Sequence, residues 1–120
     1  MILLHLLFAL TLGAVSPSDG PEGANLVSIH SLDEENFIKA LIKDFDHAEG
    51  WTWIGLSHVH KQRSWMWSDG SAVKFTFWSQ GQPDHLDKED CIHTNFQAAK
   101  KWNDLHCNGL IPSVCASHII

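Results

Sequence analysis

The sequence predicts an α+β fold, with one clear helix, several short antiparallel strands and a long loop region between them. Three observations carry this. Phe37, Leu41 and Phe45 recur at spacing four behind Ser31-Leu32-Asp33-Glu34, which matches a helix-capping pattern. After Gly50 the chain alternates aromatic or apolar residues with polar ones, which is the strand period. Residues 79–90 then run polar without periodicity, and a loop of that length in a compact domain is usually a working part. At 120 residues, 44% hydrophobic and 18% charged, the chain has one domain's length and enough apolar content for one core.

The elements follow in order. Residues 2–14 form a largely apolar run interrupted at His5, too short to span a bilayer, and read as a secretory signal peptide. Small residues at Gly13, Ala14 and Ser16 place cleavage at about 13–16. The expected division is residues 1–14 as leader, 15–23 as linker and 24–120 as the folded domain. The linker is rich in Pro, Gly and Ser and has nothing to bury. Residues 24–29 are of strand type. Ile38 and Ile42 join Phe37, Leu41 and Phe45 on one apolar face of a helix over about 32–44. Asp33, Glu34 and Glu35 at its start and Lys43 near its end suit the helix dipole. Residues 51–59 read as a strand. Residues 64–67, the turn Ser68-Asp69-Gly70-Ser71 and residues 72–78 read as a hairpin. Strands restart at Cys91-Ile92-His93, and residues 98–107 and 110–116 supply two more.

The balance of eight Lys plus Arg against fourteen Asp plus Glu, a formal charge of −6, excludes the usual basis of nucleic-acid binding. No basic run exists to hold an anionic membrane surface. Catalytic signatures are also missing: there is no G-x-S-x-G elbow and no HExxH. His58-Val59-His60 puts two imidazoles on one strand face, a spacing zinc can use, but no second motif accompanies it. His85, His93 and His106 are read with the rest as polar residues on loops and strand ends. Trp53, Trp65, Trp67, Trp78 and Trp102 are assigned to the core, and Trp51 to the surface.

The chemistry concentrates in Gln82-Pro83-Asp84, in Glu89, and in Asn103-Asp104 behind Trp102. Every side chain here that could hold a cation offers oxygen and none offers sulfur. Two amides and three carboxylates are the donors a hard cation such as Ca²⁺ takes. A cis bond before Pro83 would turn Gln82 and Asp84 the same way. Singly, these are ordinary polar turn residues. Together, flanking a Cys and a Trp, they make a site.

Trp53-Ile54-Gly55-Leu56, Trp67 to Ser71 as WSDGS, Gly81 to Asp84 as GQPD, Glu89-Asp90-Cys91, Trp102-Asn103-Asp104 and a final Cys115 occur in that order. The series resembles the C-type lectin-like domain, and in particular its small secreted fish members, galactose-binding lectins and type II antifreeze proteins. It covers about residues 24–116. The resemblance implies that Gln82, Asp84, Glu89, Asn103 and Asp104 ligate one Ca²⁺ and that the same residues hydrogen-bond two neighbouring sugar hydroxyls. It implies a galactose-type preference from Gln82-Pro83-Asp84, because a carboxylate only accepts whereas an amide also donates. The chain departs from the pattern after Asp84, where His85, Leu86 and Asp87 stand in place of a stacking aromatic. Ice binding, as in the antifreeze members, and binding of protein partners without sugar are the alternatives.

The resemblance further implies a disulfide between Cys91 and Cys107, and an unpaired Cys115 whose usual partner lies in an N-terminal strand-and-helix segment that this chain lacks. The expectation is then an N-terminally truncated domain, with the terminal strand near Val114 unpartnered and a disulfide-linked dimer open to Cys115.

Overall fold

The computed structural model describes residues 3–9, 25–59, 64–84 and 90–119, with side chains at 25–58, 64–84 and 90–116. Its elements are β1 (Leu3–Ala9), β2 (Asn25–Leu26), α1 (Leu32–Phe45), β3 (Thr52–Val59), β4 (Ser64–Trp67), β5 (Cys91–Phe96), β6 (Lys101–Leu105) and β7 (Ser113–Ile119). One sheet runs β1-β7-β3-β5-β6, with β2 added on β7 and β4 on β3. It is mixed rather than wholly antiparallel, because β3 runs parallel to β7 at Trp53 and Ser113.

β7 does not stand unpartnered. Residues 3–9, inside the stretch expected as leader, form β1 and pair antiparallel with β7 from Leu3–Ile119 to Ala9–Ser113. Cys115 pairs with Leu7 of β1 and with Leu26 of β2, so these two strands flank β7 on opposite edges. Residues 25–27 then bridge β7 to β3. Val27 N–H donates to Val114 O, and Gly55 N–H donates to Val27 O. The bridge explains the glycine of Trp53-Ile54-Gly55-Leu56. A Cβ at Gly55 would lie 2.6 Å from Leu26 O and 2.9 Å from Val27 O, both backbone atoms that cannot step aside.

α1 starts where the capping pattern places it. Ser31 Oγ accepts from Glu34 N–H, and Glu34 Oε2 accepts from His30 N–H and from the Ser31 hydroxyl. Of the expected apolar face, Ile38 and Ile42 are buried and Leu41 packs against the core, whereas Phe37 and Phe45 are more than half exposed and Glu35 turns inward instead. The core under α1 joins Ile38 and Ile42 to Ile29, Ile54, Leu56, Ile92, Val114 and the rings of Trp67 and Trp102. Glu35 enters this core with partners: Thr94 Oγ1 and Trp102 Nε1 donate to its carboxylate at 2.9 and 3.1 Å, and Lys39 Nζ lies 3.2 Å away.

The hairpin expected over residues 64–78 does not form. β4 pairs with β3, from Leu56–Trp67 to Val59–Ser64, and residues 71–77 form no strand. They keep the alternation without the ladder: Val73, Phe75 and Phe77 pack against the core while Ala72, Lys74 and Thr76 are exposed. Asp69 turns the chain away from β4, accepting from Ser28 Oγ at 2.7 Å and from Ser71 N–H at 2.9 Å. Burial alone would raise Asp69, but the bonds from Ser71 and Ser28 outweigh it and hold the carboxyl below its ordinary value.

The loop region is clipped at its base by the Cys91–Cys107 disulfide. Cys115 is free and wholly buried, and burial raises its thiol. With β1 in place on β7 the thiol has no exposed surface.

Candidate functional site

The site is built where the loop after Trp78 meets β6. Trp78 and Trp102 form a parallel bridge. Trp102 N–H donates to Phe77 O, Ser79 N–H donates to Trp102 O, and Gln82 N–H donates back to Ser79 O. Gly81 takes a φ of 80°, which lets the loop turn tightly into Gln82. The Gln82–Pro83 bond is cis. Beyond it, Asp84 N–H donates to Asp104 Oδ1 at 3.3 Å. The loop and the Asn103-Asp104 pair, twenty residues apart in sequence, are thus fastened side by side.

Gln82, Asp84, Asn103 and Asp104 all lie in this assembly. Glu89 lies outside the described residues, as do His85, Leu86 and Asp87. Among the described residues no three His, Cys, Asp or Glu side chains gather into a metal-holding group, and the carboxylates of the assembly there are Asp84 and Asp104. His58 lies 3.9 Å from Asp90, and His60 lies outside the described residues.

One atom tests whether a cation suits this set. Gln82 Oε1 is buried and, among the described residues, has no hydrogen-bond partner. A buried amide oxygen left so is costly, on the order of 1–3 kcal/mol, unless something electropositive meets it. A hard cation is such a partner, and the surrounding donors are oxygens.

The sequence reading missed His93. It is buried, not a surface residue, and its side chain meets Asn103 across the β5–β6 register. Nδ1 lies 3.0 Å from Thr94 O, and Nε2 lies 3.1 Å from Asn103 Nδ2. Burial pushes its pKa down to about 4, so the ring is neutral at physiological pH. Trp51, 44% exposed, stacks on it with ring centroids 4.5 Å apart. The other assignments of Trp hold: Trp53, Trp67 and Trp102 are buried, and Trp65 and Trp78 pack against the core.

A family model described as Lectin C-type domain matches residues 19–117. The chain is 46% identical over 103 residues to the lactose-binding lectin l-2 of Anguilla japonica, covering 82% of this chain and 60% of that protein. It is 40% identical over 99 residues to the galactose-specific lectin nattectin of Thalassophryne nattereri, covering 82% of this chain and 62% of that one. The chain therefore spans about 60% of the length of these curated relatives. Among solved structures it is similar to a Ca²⁺-dependent type II antifreeze protein in its Ca²⁺-free form, with a TM-score of 0.82 at 34% identity, covering 95% of this chain and 91% of the other.

Proposed function

We propose, from the premise that the chain belongs to the C-type lectin domain family, that it binds galactose-type sugars through one Ca²⁺. Members of this family are binding proteins and not enzymes, and the relatives' names include a lactose-binding and a galactose-specific lectin. The residues that would hold the ion are Gln82, Asp84, Glu89, Asn103 and Asp104. The observation that carries the reading is Gln82 Oε1, buried without a hydrogen-bond partner among the described residues, with the next residue but one fastened to Asp104.

When bound, the ion supplies a positive charge that sugar hydroxyl oxygens can coordinate. The chain's own part is selection. Gln82 offers both a donor and an acceptor where a glutamate would only accept, and Asp84 only accepts. That order favours one arrangement of neighbouring hydroxyls over its mirror. The partners on this reading are glycans. A formal charge of −6 disfavours nucleic acid and anionic membranes, and no helix among the described residues is long and apolar enough to cross a membrane.

Retention on a galactose resin in calcium and release by a chelator is the expected result. Retention on mannose but not galactose would reverse the specificity. A second reading, ice binding, rests on the likeness to the antifreeze structure. Thermal hysteresis with no sugar retention would select it.

The proposal includes secretion, with residues 1–14 as leader. Removing them would take β1 off β7 and open that edge, leaving β2 and β3 on the other edge of β7. N-terminal sequencing of the exported protein is expected to begin at about residue 14–17. A product that retains Leu3 to Ala9 would show instead that β1 belongs to the working domain.

A further inference from the structure

Resting on the calcium reading, we propose that His93 is a positioning residue for the site: its ring fixes which end of the Asn103 amide faces the ion, and Trp51 holds the ring in place. An amide carries an acceptor oxygen and a donor nitrogen on one planar group, and only the oxygen can ligate Ca²⁺. A ligand asparagine free to flip spends part of its time presenting the wrong end. Something on this chain must choose.

The choice follows from the hydrogen-bond chain. Thr94 O, 3.0 Å from His93 Nδ1, is a carbonyl and can only accept. Nδ1 therefore carries a ring hydrogen, and Nε2, which faces an amide nitrogen that can only donate, is the bare lone pair. Asn103 lies 3.1 Å from that lone pair, and only its Nδ2–H can satisfy it. A flipped amide would set oxygen against Nε2, two acceptors in contact inside a buried site. With Nδ2 committed to the ring, Oδ1 is directed away from it. The strand register enforces the pairing, since His93 and Asn103 are directly opposite on β5 and β6.

The ring itself is boxed in. Trp51 stacks on it at an interplanar angle of 27°, and Trp53 and Phe96 meet it edge-on with centroids 6.4 and 5.6 Å away. Trp51 keeps one partly exposed surface, yet His93 beneath it has none. This accounts for a large aromatic placed at the surface immediately before β3, and for a histidine buried without a charge partner. Outer-layer groups that orient ligands commonly matter nearly as much as the ligands themselves.

Two kinds of measurement test this. On the calcium-free protein, ¹⁵N shifts of the His93 ring are expected to show Nδ1 protonated and Nε2 bare, and calcium should leave that pattern unchanged. A protonated Nε2 would overturn the proposal. On variants, His93→Phe keeps an aromatic under Trp51 and removes the acceptor. Calcium affinity, read by Trp fluorescence, is expected to fall about 10-fold or more. His93→Gln restores an acceptor oxygen and is expected to return affinity to within about threefold of the parent. Equal affinity in His93→Phe and the parent, or a His93→Gln chain that folds and still loses calcium, would sink the idea. Melting in chelator separates a folding defect from an orientation defect, and if His93→Phe does not fold, the ring shifts and His93→Gln decide. Failure of the parent to bind calcium would instead remove the functional reading on which this rests.

Discussion

Asp104→Ala is expected to lower calcium affinity about 100-fold or more and to abolish sugar retention with it. Two losses coincide at this residue. The variant removes one anionic oxygen ligand from the proposed set. It also removes the acceptor that fastens Asp84 N–H, and with it one of the links between the loop and β6. Asp104 has no exposed surface, so bulk water does not substitute cheaply for either role. Asp104→Asn separates them. The amide oxygen can still accept from Asp84 N–H, but the negative charge is gone, so an intermediate loss is expected. Isothermal titration with calcium measures both variants, and near-UV circular dichroism in chelator checks that Trp packing survives. An Asp104→Ala protein that binds calcium like the parent would remove Asp104 from the ligand set.

Much of the fold was legible because some signals are local. The Ser31–Glu34 cap needs only neighbouring residues, and it forms as the pattern implies. The helix face was read only in part: Ile38, Leu41 and Ile42 of the expected face pack inward, but Phe37 and Phe45 do not, and the core takes Glu35. Glu35 was disguised, since an acid in the first turn is already explained by the dipole. The hairpin over 64–78 failed for a related reason. Its turn chemistry is sound, but Asp69 gives one of its two oxygens to Ser28, 41 residues away, and no local pattern announces that. At the site, oxygen donors cluster visibly in the sequence, whereas His93 becomes meaningful only once β5 and β6 are in register. The proposed ligand set was therefore readable and its support was not. A cue existed in retrospect: His93 follows Cys91 at strand spacing, as Asn103 follows Lys101.

Glu35→Ala is expected to cost about 3–5 kcal/mol of stability. The carboxylate is fully buried and holds three groups at once: Lys39 from α1, Thr94 from β5 and the Trp102 indole from β6. Truncation leaves the Trp102 N–H buried without an acceptor and opens a cavity beside Ile38 and Ile42. Lys39 is partly exposed and also donates to Asn95 Oδ1 and Lys100 O, so it survives the change better than Trp102 does. For a domain of this size the melting temperature should drop by more than about 10 °C. Glu35→Gln keeps an acceptor for the indole and loses only the charge, so a smaller loss of about 1–3 kcal/mol is expected. Urea unfolding in chelator measures both without calcium masking the difference. Because Trp102 precedes Asn103, a folded Glu35→Gln protein should also keep its calcium affinity, as the indole remains held. A Glu35→Ala protein within about 1 kcal/mol of the parent would show that the buried acid is no better than a well-packed apolar side chain there.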